Sequence, residues 1–330
     1  MITLITTVLN EGDNMRRLMD SLCAQTRPPD EIVIVDGGSR DDTVKILREY
    51  EQVLPLRMEV EAGCNISRGR NLAIQAAHGD IIAVTDAGVV LAKDWLQHLT
   101  QPLLDNPNVQ VVSGFFQADV QTPFEVAMGA TVLPLVDEIN PETFLPSSRS
   151  VAFRKSAWEK VGGYPEWLDY CEDLIFDLRL KMITPPFTFA PQAVAHFRPR
   201  GSLRAFWKQY FLYARGDGKA DLWRKRHAIR YATYFIAAPL ILGLSLSLNL
   251  WFLLLYLVGA AWYLYQPLKR LPVVLRAVPK MSRMEHLYIL LMIPIIRVVG
   301  DFAKMAGYPV GWRWRLQNKP PDWKATSEKQ

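Results

Sequence analysis

Residues 31–43 read Glu31-Ile32-Val33-Ile34-Val35-Asp36-Gly37-Gly38-Ser39-Arg40-Asp41-Asp42-Thr43, an apolar run stopped by an acid, two glycines and a hydroxyl. Four consecutive β-branched residues predict a buried strand of the kind found in parallel sheets. Asp36 then stands at a strand's carboxyl end, where open α/β sheets bind ligands. The glycines let the backbone approach a ligand or turn with positive φ, and Asp41 or Asp42 can cap the helix that continues through Val44, Ile46 and Leu47. This is the outline of a nucleotide pocket.

The same alternation extends on both sides. Residues 2–9 form a strand pattern, and 11–23 a helix with Met15, Leu18, Met19 and Leu22 at helical spacing. Further strands are expected at 56–60 and 81–85, with helices at 42–50 and 67–77 between them. Short connections between alternating elements imply an α/β fold with a mostly parallel central sheet. Beyond residue 110 the pattern predicts strands at 109–116, 151–154, 187–189 and 193–197, helices at 156–161 and 172–180, and an apolar helix or lid segment at 126–136.

The 330 residues carry a net charge of +5 and are 50% hydrophobic, enough for a sizeable core plus an appendage. Much of the positive excess flanks residues 231–268, which hold no charge at all. That distribution suits a cytoplasmic membrane face and anionic headgroups, and it argues against a nucleic-acid partner. As one helix, residues 231–265 would reach about 50 Å, beyond the roughly 30 Å hydrocarbon core. A hairpin over 231–266, breaking near 245–249, is therefore expected. A short apolar segment at 286–300 and a basic tail complete a membrane-associated region spanning 221–330. An amphipathic, aromatic helix at 202–221 closes the first domain, 1–220. Cys23, Cys64 and Cys171 are too few and too scattered for a disulfide framework, and no signal peptide is expected at the N-terminus.

Three strand ends carry polar groups: Thr7 to Glu11, Asp36 to Ser39, and Asp86 to Gly88. In a parallel sheet they converge on one edge, which assembles distant acids into one site. Asp36 can accept from the ring N–H of a nucleobase, and Asp86 can hold a divalent metal that bridges a diphosphate. Glu172 and Asp173 open a helix, where the dipole favours carboxylates.

These residues carry a resemblance to family 2 glycosyltransferases of the GT-A (nucleotide-diphospho-sugar transferase) fold, of the membrane-attached bacterial type. It rests on Val8-Leu9-Asn10-Glu11, Ile34 to Ser39 with Asp42-Thr43, Arg68-Gly69-Arg70-Asn71, Ile82 to Gly88, and Glu172-Asp173 with Asp177 and Arg179. The resemblance implies that Thr7, Glu11 and Asp36 contact the nucleoside of a nucleotide-sugar, with Arg70 and Asn71 at its ribose or diphosphate. Asp86 stands where the family's metal-binding Asp-x-Asp begins, but Gly88 replaces its second acid. A divalent cation, Mg²⁺ or Mn²⁺, would then be held by Asp86, diphosphate oxygens, water and His196.

Glu172-Asp173 resembles the family's acidic pair, which implies Asp173 as general base of an inverting transfer and Glu172 as its support. The expected activity is transfer of a sugar from a nucleotide-sugar to a lipid-linked or glycan acceptor, among membrane lipids at the cytoplasmic face of the inner membrane. A processive polysaccharide synthase and a noncatalytic nucleotide-sugar-binding membrane protein are the alternatives. Against the synthase stand the small extent of membrane-spanning sequence and the absence of Gln-x-x-Arg-Trp.

Overall fold

The computed structural model describes residues 1–278 and 280–324, and residues 325–330 of the expected basic tail lie outside them. Eight strands form one sheet: β1 (Ile2–Val8), β2 (Glu31–Asp36), β3 (Leu56–Val60), β4 (Ile81–Val84), β5 (Val89–Leu91), β6 (Val111–Ala118), β7 (Val151–Arg154) and β8 (Thr188–Phe197). Interleaved with them are α1 (Asn14–Cys23), α2 (Thr43–Tyr50), α3 (Ile66–Ala76), α4 (Trp95–Asp105), α5 (Pro123–Val132), α6 (Lys155–Lys160) and α7 (Glu172–Ile183). Then come α8 (Leu203–Ala220), α9 (Arg224–Ala232), α10 (Ala238–Ser247), α11 (Leu254–Arg276) and α12 (Arg283–Asn318).

The sheet order is β3-β2-β1-β4-β7-β6-β8-β5. The first four strands are parallel, in a register that sets Val8 opposite Asp36, Asp36 opposite Val60 and Ile5 opposite Val84. Their carboxyl ends therefore share one edge, as the sequence predicts. β7 runs antiparallel to β4 with Val151 opposite Val84, so the segment leading into β7 arrives at that same edge.

Alternation along the strands feeds two cores, one on each face of the sheet. Leu4, Ile32 and Ile34 join Met15, Leu18, Ile46 and Leu99 in one cluster. Ile5, Val33 and Val35 join Ala73, Ile74, Phe176 and Leu180 in the other. The Ile-Val-Ile-Val run is thus buried on both sides, which is why it carries no polar residue. β5 and α4 have no counterpart in the strand and helix pattern read from sequence. The two strand segments expected at 187–189 and 193–197 are one continuous strand, β8, because pairing to β6 carries through Pro191 at a register shift.

Two compact units divide the chain. The first holds residues 1–119, 136–198 and the described residues from Pro321 onward; the second holds Val120–Leu135 and Pro199–Pro320. The interface helix α8, placed with the first domain by sequence, falls in the second unit.

In that unit α8 and α12 meet through small residues. Gly307 and Gly311 lie so close to α8 that an added Cβ would run into the carbonyl oxygens of Phe211 and Arg215, and one on Gly218 would meet that of Tyr308. The apolar stretch expected as a short element at 286–300 is the first half of α12, which continues through Pro294 and Pro309. A proline inside a helix costs about 3 kcal/mol, and here the buried face of Ile289, Ile293, Ile296 and Ala303 offsets that loss. Two further helical stretches, Arg224–Ser247 and Leu250–Arg276, are long and apolar enough to cross a membrane, and only 6% of their apolar windows is buried. The chain turns between them at Leu248-Asn249, where the Asn249 side chain accepts from the Trp251 N–H.

Candidate active site

The parallel edge of the first unit organises the site. The Asp36 carboxylate folds back on its own loop, where Oδ2 accepts from the N–H groups of Gly38 (3.0 Å) and Ser39 (2.9 Å) and Oδ1 from the Ser39 hydroxyl. Gly38 takes φ +94°, a conformation that L side chains rarely adopt. The loop after β1 is tied to α2, because Thr43 Oγ1 accepts from the N–H groups of Glu11 and Gly12 at 2.9 Å each. The half-buried Glu11 directs its carboxylate toward Gly88 of the third strand end, with Oε2 3.9 Å from where a Cβ would sit. Thr7, Glu11, Asp36 and Asp86 accordingly all stand along the expected edge.

Arg70 is the hub. Gly69 lets α3 press against β1, since a Cβ there would come within 2.7 Å of Thr7 Cγ2. The next residue is aimed inward and is only 2% exposed. Arg70 Nη1 donates to Glu172 Oε1 at 2.7 Å and Nη2 to Asp86 Oδ1 at 2.9 Å. Residues 70, 86 and 172 come from α3, the loop after β4 and α7, so this contact is the point at which the sequence-distant motifs meet. A guanidinium suits such bridging because its planar fork addresses two carboxylates at once.

α7 divides its acids by environment. Glu172 is buried against Arg70; burial pushes its carboxyl up, neighbouring Asp173 adds to that, and Arg70 opposes it. Asp173 is half-buried, and Oδ1 accepts from the Leu174 N–H at 2.8 Å. One helical turn on, Asp177 is fully enclosed, and its Oδ2 has no hydrogen-bond partner. Burial raises the Asp177 carboxyl well above the usual range, with Asp173 adding to the effect.

Residues 3–158 match the family model described as Glycosyl transferase family 2. The chain carries a family 2 glycosyltransferase domain over those residues. It is 23% identical over 227 residues to the O-antigen chain rhamnosyltransferase RfbN of Salmonella typhimurium, covering 64% of this chain and 70% of that one. It is 25% identical over 280 residues to the glycosyltransferase AglE of Haloferax volcanii, covering 82% and 85% respectively. Among solved structures, the mannosyltransferase PcManGT from Pyrobaculum calidifontis, in complex with GDP-Man and Mn²⁺, superposes with a TM-score of 0.60 at 20% identity. That match covers 92% of this chain and 86% of the other. At this identity the likeness speaks for the GT-A fold. The chain is thus an enzyme whose family uses nucleotide-sugar donors.

Two further residues that the sequence assigns to this glycosyltransferase's site are held in the protein's own framework. Asn71 bonds within the protein: Nδ2 donates to Tyr164 O and Glu166 Oε1, both at 2.9 Å, while Oδ1 accepts from Tyr164 N–H (2.9 Å) and Trp158 Nε1 (3.2 Å). With its four hydrogen-bonding positions filled, it staples α3 to α6 and to the loop that follows it. His196 lies on β8 opposite Val90 and Gln117, and burial lowers its basicity while Asp119 opposes that shift.

Among the described residues no three His, Cys, Asp or Glu side chains gather as a metal site. Asp86 faces arginines on both sides, Arg70 at 2.9 Å and Arg149 Nε at 3.6 Å. The described residues therefore form no preformed cage for a divalent cation, and one held at Asp86 would take phosphate and water oxygens as most of its ligands.

Arg149 is a site residue that the sequence reading missed. It reaches Asp86 because the segment entering β7 comes to the parallel edge, where its carbonyl accepts from Thr85 Oγ1 at 3.0 Å. Its guanidinium lies over the Phe197 ring at 4.4 Å from the centroid. No local pattern around Pro146-Ser147-Ser148 marks it. Asp177, four residues after Asp173 on one helix face, did carry a signal.

Proposed function

We propose that this enzyme moves a sugar from a nucleotide-sugar to a lipid-linked or glycan acceptor by a single inverting displacement. Asp173 is the general base and Glu172 its support. The observation that carries the assignment is the division within the acidic pair: Glu172 is locked onto buried Arg70, while Asp173 keeps access at the helix N-terminus. A base must reach the acceptor hydroxyl, whereas a partner that fixes a guanidinium has to be enclosed.

In this reading Thr7, Glu11 and Asp36 line the nucleoside position, and Arg70 and Arg149 flank the departing diphosphate. Asp86 would hold Mg²⁺ or Mn²⁺, with His196 a second candidate donor; such a cation neutralises charge that develops on the leaving group. The arginines act in the same direction through charge-assisted hydrogen bonds, which strengthen as the diphosphate becomes more negative. Asp173 takes the acceptor proton as the hydroxyl attacks the anomeric carbon from the face opposite the diphosphate.

The helices Arg224–Ser247 and Leu250–Arg276 form a membrane hairpin in this reading, with basic residues at both ends on the cytoplasmic side of the inner membrane. An even number of crossings satisfies both flanks.

The test is Asp173→Asn in the full chain, with donor binding followed by calorimetry and turnover by product formation. Turnover should fall about 100- to 10,000-fold, the range expected for loss of a general base, while donor affinity changes less than about threefold. Unchanged turnover would remove Asp173 from its role.

A further inference from the structure

The second unit contains a cavity of about 320 Å³ that the transfer chemistry does not use. Arg230, Arg270, Arg297 and Lys304 line it, together with Asp301 and the aromatic ring of Tyr210. Asp301 is already committed, accepting from Arg230 Nε at 2.6 Å, Tyr263 OH at 2.6 Å and Tyr234 OH at 3.2 Å. Among the described residues that line the cavity Asp301 is the one carboxylate beside Arg230, Arg297 and Lys304, while Arg270 makes a further interaction and Asp217 also acts on Lys304.

Two of the four rest on aromatic faces. The Arg297 guanidinium lies 4.3 Å from the Tyr263 ring centroid, with its Nε buried and without a hydrogen-bond partner. Lys304 Nζ lies 4.9 Å from the Tyr210 centroid. Burial holds the Lys304 ammonium down to about 8, and neighbouring Arg230 pushes the same way. Enclosed positive charge on this scale is unfavourable unless an anion compensates it. A volume of this size accepts a phosphate or diphosphate group.

The placement of the cavity narrows the source of that anion. Arg230 lies near the start of the apolar stretch Arg224–Ser247, and Arg270 near the end of Leu250–Arg276. Between those polar ends the helices expose Phe235, Leu240, Leu246, Trp251, Leu257 and Trp262. A ligand that meets both features has a phosphate head and hydrocarbon chains.

We propose that this cavity binds the phosphate head of an anionic membrane lipid, whose chains lie along the exposed apolar faces of α10 and α11. The site is separate from the transfer chemistry and rests only on the membrane-hairpin part of the reading above.

The test uses the full chain in a neutral detergent, with dioctanoyl phosphatidic acid, dioctanoyl phosphatidylcholine and inorganic phosphate as probes. Phosphatidic acid should raise the melting temperature, phosphatidylcholine should not, and inorganic phosphate should require at least tenfold higher concentration for an equal rise. Lys304→Met and Arg297→Gln should each weaken the phosphatidic acid effect at least fivefold. Lys304→Met should melt no lower than the parent without lipid, because it removes a cation that faces other cations. An equal response to both lipids, or variants that keep the full response, would overturn the proposal. Inorganic phosphate acting at the same concentration as phosphatidic acid would overturn the lipid source and leave a free-phosphate site. Flotation with phosphatidylcholine vesicles reports the hairpin independently, so loss of flotation separates failure of the membrane reading from failure of the lipid site.

Discussion

Replacing Arg70 with methionine isolates the contact on which the first unit's motifs converge. The side chain is 2% exposed and bridges Glu172 at 2.7 Å and Asp86 at 2.9 Å. The two carboxylates would respond differently. Asp86 is 30% exposed and keeps Arg149 nearby, so water and that guanidinium take over. Glu172 is 9% exposed and sits beside Asp173, so its charge would be left buried and uncompensated. Removing one partner of a buried pair costs about 3–5 kcal/mol. For a unit of this size that corresponds to a fall of roughly 6–20 °C in melting temperature. Thermal unfolding of the full chain in neutral detergent measures it. Arg70→Met combined with Glu172→Gln should recover at least about 1 kcal/mol of the loss, since the orphaned charge is gone. A melting temperature within about 2 °C of the parent, or losses that merely add in the double variant, would refute the bridging role.

Three further outcomes are expected. Asn71→Ala removes four hydrogen bonds and strands the Tyr164 N–H, so it should cost about 2–3 kcal/mol by thermal melting and leave the donor KM unchanged; a raised KM at full stability would make Asn71 a ligand contact instead. Gly311→Ala drives a methyl into the Arg215 carbonyl oxygen and should destabilise the second unit by about 1–3 kcal/mol, whereas Gly243→Ala, with nothing within 4 Å, should not. Asp177 has a folded-state pKa above its unfolded value, so the native state binds the proton more tightly, and stability falls as pH rises from the usual carboxylate range through the raised value; Asp177→Asn should flatten that fall, melting higher than the parent at pH 8 by more than it does at pH 5, and an equal difference at both pH values would contradict this.

The strands and their shared edge were legible because their signal is local. Ile32 to Val35 must be apolar to lie between two cores, and Asp36 marks the point where the strand leaves them. Convergence of Thr7, Asp36 and Asp86 then follows from parallel pairing alone. The bonds of Asn71 to Tyr164 were not legible because sequence shows which residue follows Arg70 on α3 but not which way each points; consecutive helix positions do not share a face. Arg149 was hidden because its place depends on β7 running antiparallel to β4, a long-range pairing with no local signature. β5 is three residues long and α4 lacks a side-chain cap, which leaves both without punctuation. Pro294 and Pro309 hide the length of α12, which is sustained by close contact with α8.

The Asp36 turn also bears on the thermodynamics of donor binding. Its carboxylate already accepts from Gly38 and Ser39, so the loop is ordered when the chain folds and not when a ligand arrives. Of about four lone-pair positions on a carboxylate, three are engaged. One remains, and because Asp36 is only 1% exposed, an incoming N–H in the reading proposed above has to approach it along the strand edge itself. Association at this edge should then proceed without the entropy loss that accompanies loop closure, and its heat-capacity change should track the apolar surface covered by the ligand alone.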